Sequence, residues 1–201
     1  MDCMFIFFFH MLQVSALLMK PTRRIRNFQL AMISNTLKVD DITQHRFSVA
    51  PMMEYTDTHQ RKLMRMLTKK SVLYTEMVTA NALLRGDDIV RFLEADFAIE
   101  EPVVMQLGGS DPDQIYKASK IVSDYGYKQI NINCGCPSEK VAGAGCFGAA
   151  LMLNPDLVSE LCKSVYTATG SSATIKCRIG MDSQIKLVLY NTANMVILAL
   201  T

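Results

Sequence analysis

The sequence lacks the cysteine and histidine spacings of a metal-binding or secreted protein. Its six cysteines include no C-x-x-C pair and its three histidines show no ligand-like spacing, so a zinc site is not expected. Cys134 and Cys136 stand too close together for an ordinary disulfide, which favours a reducing, intracellular compartment. We accordingly expect no bound metal.

The part of the chain that is expected to fold also lacks a basic excess. The whole sequence has 21 Lys and Arg against 19 Asp and Glu, a net charge of +2. Residues 1–46 contain six Lys and Arg and three Asp, which gives +3, so residues 47–201 carry +2 minus +3, or −1. Composition therefore does not show the basic surface that marks many nucleic-acid-binding proteins.

A hydrophobic run of membrane-spanning length is missing as well. The apolar stretch at residues 4–19 is shorter than the roughly 20 residues that a membrane span requires, so a membrane partner is not expected. Only Asp2 precedes it, so it also lacks the basic n-region of a secretory signal, although basic residues follow at 20–26. We interpret residues 1–46 as an N-terminal extension: a targeting segment, an incorrectly placed start codon or, fitting least well, a membrane anchor.

Short apolar runs alternate with amphipathic segments from Arg46 onward, a pattern that predicts an α/β fold with a parallel sheet. The predicted strands are residues 47–50, 72–77, 103–107, 129–133 and 173–178. Two of the intervening helices share the same end signals, an N-cap, a proline and a closing glycine: Asp111, Pro112 and Gly126, then Asn154, Pro155 and Gly170. Their apolar stripes predict that both pack on the sheet.

Polar residues stand near the carboxyl ends of four predicted strands: Glu76, Gln106, Asn133 and Lys176. Parallel strands that are covered on both faces are usually apolar throughout, so these residues are informative. In a (β/α)8 barrel the carboxyl ends of the strands form the catalytic face. A single polar residue in this place serves about as often to hydrogen-bond a neighbouring loop as to form a functional site. Four such residues at the same end of the sheet favour a functional site.

The stretch at residues 131–152, NINCGCPSEKVAGAGCFGAALM, follows the fourth predicted strand. Asn131 and Asn133 occupy alternate strand positions, so they share one face and end beside Cys136. A thiol in that loop suits proton donation because its ordinary pKa is near 8.5. The plainer interpretation of Cys136 is a small buried hydrophobic residue.

This stretch resembles the active-site loop of the tRNA-dihydrouridine synthases, flavoenzymes that reduce a uracil ring in transfer RNA. The similarity lies in the N-x-N-x-G-C-P-S-x-K run and in the G-x-F-G-A-x-L-M run after it. Other matching segments are APMMEYTD (50–57), LYTEMV (73–78), QLGGSDP (106–112) and KCRIG (176–180). The LYTEM and QLGGSDP forms indicate the A-type, 20/20a-like branch. Ala150 departs from a frequent cysteine of the family.

The resemblance implies FMN as cofactor and NADPH as reductant. It places Pro51, Met52 and Met53 against the isoalloxazine ring of the flavin. It also implies that Gln106 and Lys176 hydrogen-bond the polar edge of that ring, with the Lys176 charge favouring the anionic reduced form.

For the substrate, the resemblance implies tRNA and not DNA. Cys136 would protonate C5 of the uracil while a hydride reaches C6, and Asn133 would orient the uracil. Lys140, Arg178 and His59 would meet RNA or the substrate. The plainer interpretations are solvated cations for Lys140 and Arg178, and a helix cap for His59.

The resemblance covers residues 47–182 and predicts a TIM (β/α)8-type barrel truncated after about five strands, with residues 183–201 as a tail outside the family pattern. A closed barrel takes about 250 residues. We therefore expect this chain to hold FMN weakly and to form no dihydrouridine by itself. Two functions remain open, a cytoplasmic (alternatively mitochondrial or plastid) synthase acting in the D-loop of tRNA, and an inactive fragment that at most binds RNA or a partner.

Overall fold

The computed structural model of the chain describes residues 47–137 and 147–178, and the backbone of residues 195–200. Its strands are β1 (Ser48–Val49), β2 (Val72–Thr79), β3 (Val103–Gly108), β4 (Ile130–Cys134), β5 (Ala173–Arg178) and β6 (Met195–Leu200). Its α-helices are α1 (Thr58–Leu67), α2 (Ala80–Arg85), α3 (Ile89–Leu93), α4 (Phe97–Glu100), α5 (Pro112–Tyr125) and α6 (Pro155–Thr169). A 3-10 helix at Gly148–Leu153 precedes α6.

The six strands form one parallel sheet whose spatial order, β1 to β6, follows the chain. A doubly wound sheet would reverse its order part way, whereas a (β/α) barrel adds each strand beside the last. The predicted fold class, an α/β chain that forms part of a TIM-type barrel, is therefore confirmed.

All five predicted strands are present, and their ends lie within two residues of the prediction. The sixth strand, β6, was not predicted, because residues 183–201 were interpreted as a tail. It pairs in parallel with β5 from Ala173↔Met195 to Arg178↔Leu200. Its sequence, MVILAL, is a continuous apolar run, which is how a buried parallel strand usually reads.

The two predicted helices have the predicted ends. Asp111 caps α5 by accepting hydrogen bonds from the backbone N–H groups of Asp113 (2.9 Å) and Gln114 (3.4 Å). Asn154 caps α6 by accepting from Leu157 N–H (3.2 Å), and Gly170 ends that helix with a left-handed φ of 74°. Both helices bury their apolar stripes in the core that they share with the sheet.

The two faces of the sheet differ in chemistry. Alternate residues of β4 and β5 pack in the hydrophobic core with α5 and α6: Ile130, Ile132, Cys134, Ala173, Ile175 and Cys177. The residues between them, on the inner face away from these helices, are polar: Asn131, Asn133, Thr174, Lys176 and Arg178. Polar side chains thus run along the inner face of both strands, beyond the strand ends where the sequence placed them.

A buried ion pair joins α1 to α4. The Arg61 guanidinium Nε donates to a Glu100 carboxylate oxygen, and the two side chains are 4% and 0% exposed. The other Glu100 oxygen accepts from Thr58 Oγ1 (2.7 Å) and Asp96 N–H (3.1 Å). Arg61 also donates to the Thr56 and Glu94 carbonyls, so both charges are hydrogen-bonded on several sides.

Candidate active site

A chain of hydrogen-bonded side chains crosses the inner face of the sheet. Asn131 Nδ2 donates to Thr174 Oγ1 (2.8 Å), and Asn131 Oδ1 accepts from Gln106 Nε2 (2.7 Å). Gln106 Oε1 in turn accepts from Asn133 Nδ2 (2.9 Å). All four residues are buried, so each link forms in a low-dielectric environment where hydrogen bonds are strong.

The chain of amides ends on the backbone of the loop that carries Cys136. Asn133 Oδ1 accepts from the N–H groups of Gly135 (3.0 Å) and Cys136 (2.9 Å), an Asx turn that folds the chain sharply as it leaves β4. Ala149 N–H donates to the Cys136 carbonyl (2.9 Å), and Arg178 Nε donates to the Gly135 carbonyl (2.6 Å). Four hydrogen bonds therefore fix residues 135–136 at the carboxyl end of the sheet.

Of the four cysteines that the structure describes, Cys136 is half-buried, and Cys134, Cys162 and Cys177 are buried. Burial raises the pKa of each of those three thiols. Of the described thiols, Cys136 is therefore the one that is partly exposed at the carboxyl end of β4, while the neighbouring Cys134 faces the helices.

Lys176 adds a cation to the same inner face. Its pKa is lowered from 10.5 to about 8, mainly by burial and then by the neighbouring Arg178 charge, while the Cys136 and Cys177 thiols act in the opposite direction. None of the ion pairs within residues 47–137 and 147–178 involves Lys176 or Arg178. Two cations without an acidic partner in this part of the chain form an environment suited to an anion.

The loop between β1 and α1 holds Pro51, Met52 and Met53. Thr56 Oγ1 accepts from Met52 N–H (3.0 Å), and Thr56 N–H donates to the Met52 carbonyl (3.0 Å), which makes a compact turn. This turn leaves the Met52 and Met53 side chains 37% and 54% exposed. Exposed apolar side chains on a fixed turn at the carboxyl end of β1 offer a surface for a flat apolar ligand.

Glu54, in the same loop, has a left-handed φ of 66°, a region that favours glycine. Its backbone N–H donates to the Glu76 carboxylate at the end of β2. This contact ties the β1 loop to β2. Strained backbone that is held by a neighbouring side chain is common at functional sites.

His59 and Lys140 are the remaining predicted residues. His59 is exposed in the first turn of α1, and Asp57, not His59, caps that helix by accepting from Gln60 N–H (2.8 Å). The alternative role of His59 as a helix cap was therefore wrong, because a carboxylate already occupies the cap position. Lys140 lies outside the described residues.

Sequence reasoning gave no role to Thr174 or Thr75. Thr174 accepts the first hydrogen bond of the amide chain. Thr75 Oγ1 accepts from the backbone N–H of Gln106 (3.1 Å) beside an irregularity in the β2–β3 pairing. Thr174 stands two residues before Lys176 and four before Arg178 in β5. This period of two was the sequence signal that could have placed Thr174 on the same face of the sheet.

Two further observations limit the chemistry of the described residues. Residues 47–137 and 147–178 contain no group of three or more His, Cys, Asp or Glu side chains placed to hold a metal ion. Within the described part of the chain, every helix is too short or too polar to cross a membrane.

Comparisons with known proteins agree with the fold. The sequence model of a family described as dihydrouridine synthase (Dus) matches residues 48–197, beyond Asp182, where we expected the family pattern to end. A tRNA-dihydrouridine(20/20a) synthase of Xanthomonas campestris pv. campestris is 49% identical over 137 residues, which are 68% of this chain and 40% of that protein.

Proteins with the same name from Synechocystis sp. and Salmonella typhi are 46% and 44% identical over 143 and 141 residues. These matches cover 71% and 70% of this chain, but only 42% and 41% of the relatives. The chain thus spans about two fifths of the length of the curated relatives that it matches. Since the family model matches most of the chain, including the Cys136 loop and the strands beneath it, the chain belongs to the dihydrouridine synthase family.

Proposed function

We propose that this chain supplies the active-site residues of a tRNA-dihydrouridine synthase of the 20/20a type, an enzyme that reduces uridine to dihydrouridine in the D-loop of tRNA with FMN as cofactor and NADPH as reductant. The observation that carries the proposal is the half-buried Cys136, in a loop whose residues 135–136 are held by four hydrogen bonds, beside a cation that has no acidic partner in the described residues. Its proposed setting is the cytoplasm, with the mitochondrion or plastid as the alternative.

The described residues fit a flavin on the inner face of the sheet. After its two side-chain hydrogen bonds, the Gln106 amide keeps one N–H and one oxygen lone pair, which match the alternating polar atoms of a flavin edge. Lys176 is protonated at neutral pH, since its pKa is about 8, and so stabilises negative charge on that edge. Pro51, Met52 and Met53 supply the apolar contact for the ring.

In the proposed reaction the C5=C6 double bond of the uracil becomes a single bond. Bound FMN would supply the hydride to C6, and NADPH would provide its two electrons. Cys136 holds at Sγ the proton that C5 receives, and the Asn133 and Arg178 contacts fix the backbone from which Sγ projects. Asn133, with one N–H free after its bonds to the loop and to Gln106, is proposed to orient the uracil.

The RNA contacts in the proposal fall on Lys140, Arg178 and His59. Arg178 is exposed and uses Nε to hold the Gly135 carbonyl, so its two terminal nitrogens stay available for a phosphate. His59 is exposed on α1. The substrate in this proposal is tRNA, and neither DNA nor a metal takes part.

The role of Cys136 is tested with Cys136→Ala in the chain extended by the remaining barrel strands of a relative, because the chain by itself is not expected to form dihydrouridine. We expect dihydrouridine formation on unmodified tRNA with NADPH to fall by about 100-fold or more, because a positioned general acid contributes about that factor. FMN binding should be unchanged, because removing Sγ leaves the backbone contacts in place. The readouts are dihydrouridine content by mass spectrometry and an FMN titration, which also measures whether the wild-type chain holds FMN as weakly as its sequence predicts.

Cys162→Ala is the matched control, because it removes a thiol on the side of the sheet that faces the helices. It should retain the wild-type rate. Undiminished dihydrouridine formation by Cys136→Ala would show that another group donates the proton. An extended wild-type protein that is loaded with FMN and still leaves uridine unreduced would contradict the proposed activity.

A further inference from the structure

The direction of each hydrogen bond on the inner face is set from one end. The backbone N–H groups of Gly135 and Cys136 can only donate, so the side-chain atom of Asn133 that meets them must be its oxygen. Asn133 Nδ2 then faces Gln106 Oε1, and Gln106 Nε2 faces Asn131 Oδ1. The orientation of an Asn or Gln side-chain amide is often ambiguous, but here the backbone N–H groups fix it for Asn133, Gln106 and Asn131.

The Thr174 hydroxyl can donate or accept, so the other end of the series follows the order that the loop backbone sets. Asn131 Nδ2 donates to Thr174 Oγ1, which leaves Asn131 Oδ1 as the atom that receives the Gln106 amide. If Asn131 no longer accepts there, Gln106 has lost the contact that keeps its oxygen toward Asn133. A reversed Gln106 would place N–H against N–H, and Asn133 would in turn release the loop.

All four side chains are buried, which makes a broken link costly. Asn131 is 0% exposed and Gln106 is 1% exposed, so neither can replace a lost partner with bulk water. Loss of a hydrogen bond at the Thr174 end of the series therefore disturbs each amide in turn, and not Asn131 alone. In the part of the chain that the structure describes, the series of amides ends on the backbone of residues 135–136, so the disturbance reaches the loop there.

We propose that Asn131 and Thr174 are positioning residues for Cys136, acting through the ordered amides of Gln106 and Asn133 on the backbone of the Cys136 loop. Within the described residues, the side-chain hydrogen bonds of Asn131 and Thr174 go to each other and to Gln106, not to Gly135 or Cys136. The inference rests on the proposed function for the role of Cys136, but the hydrogen-bond relay itself does not depend on any activity.

The relay is tested by hydrogen exchange at the amides of Gly135 and Cys136 in the full chain, without cofactor. Asn131→Leu keeps the branched shape and the number of heavy atoms of the side chain and removes both polar atoms. We expect exchange at these two amides to become about tenfold faster or more, while exchange in α5 and β3 stays at the wild-type rate. Alkylation of Cys136 by iodoacetamide, followed by peptide mass spectrometry, should become several-fold faster.

Conservative variants separate positioning from packing. Asn131→Asp still accepts from Gln106 and still meets the Thr174 hydroxyl, so it should keep the protection that Asn131→Leu loses. Thr174→Val, which is nearly isosteric, should lose part of it, and Thr174→Ser should keep it. Thr174→Val also preserves the test if Asn131→Leu fails to fold.

Wild-type protection at Gly135 and Cys136 in both Asn131→Leu and Thr174→Val would overturn the inference. Equal acceleration throughout the chain would also overturn it, since that result means global destabilisation. Dihydrouridine formation is assayed separately, in the chain extended by the remaining barrel strands. Lost protection in the variants together with an inactive wild-type extended protein would retain the relay and reject the proposed function, whereas an active Asn131→Leu with unaltered exchange would do the reverse.

Discussion

Lys176 shows at the scale of one residue how a charge that suits the proposed cofactor lowers stability. Its pKa falls from 10.5 to about 8 because it is largely buried beside Arg178. Between these two pH values the unfolded chain binds more protons than the folded chain, so the free energy of unfolding rises with pH. Below pH 8 both states carry the charge, and the folded state bears the full cost of its burial.

We therefore expect Lys176→Met to be more stable than the wild type at pH 7.5, and this advantage to shrink by pH 9.5. The variant should bind FMN more weakly at pH 7.5, because the inner face loses a cation near the proposed ring edge. Thermal unfolding at the two pH values and an FMN titration measure both effects.

Lys163→Met, on the exposed side of α6, is the control for removing a lysine charge. A stability difference between Lys176→Met and wild type that stays constant from pH 7.5 to 9.5 would refute the buried-cation argument. Unaltered FMN affinity would place the flavin edge elsewhere.

Individual elements were predictable from sequence where the cause is local. The ends of α5 and α6 follow from Asp111, Asn154 and the glycines after them, because a cap acts within three or four residues. The alternation of β4 likewise placed Asn131 and Asn133 on one face. The candidate site was predictable to the same extent, since Cys136 and Lys176 stand at strand ends.

Contacts between distant segments were not predictable in this way. The Gln106–Asn131 hydrogen bond depends on the register of β3 against β4, which alternation alone does not set. The strand β6 was missed because a continuous apolar run has no periodicity to identify it. The Arg61–Glu100 pair joins residues 39 positions apart through a buried network that no local motif indicates.

That ion pair gives a prediction at the scale of elements. Glu100→Gln leaves the Arg61 charge buried with no counter-charge in its hydrogen-bond network, and breaking a buried pair in this way costs about 3–5 kcal/mol. Denaturant unfolding should show the loss, together with earlier exchange of α1 amides with solvent.

Asp113→Asn is the matched control, because it breaks the exposed pair of Asp113 with Lys117 in α5. Exposed pairs of this kind contribute about 0–1 kcal/mol. Comparable losses in the two variants would mean that burial does not decide the strength of the Arg61–Glu100 contact.

At the scale of the whole molecule, the apolar residues are distributed unevenly over the surface. The outer face of the sheet is covered by α5 and α6, and the inner face of β4 and β5 is polar. On α1, however, Leu63, Met66 and Leu67 are 55%, 82% and 74% exposed. Their spacing of three and four residues places them on one side of the helix, where they form a continuous apolar strip.

A continuous apolar strip promotes self-association more strongly than the same residues scattered over the surface. We expect the triple variant Leu63→Gln, Met66→Gln and Leu67→Gln to lower the self-association of the chain, measured by sedimentation and light scattering over a range of concentrations. Its melting temperature should stay near that of the wild type, because these side chains contribute little to the core. The control replaces Val90, Tyr116 and Leu153, exposed residues on three different elements, with glutamine and should leave self-association nearly unchanged. Equal effects of the two triple variants would show that total exposed apolar area, and not its continuity on α1, governs the association.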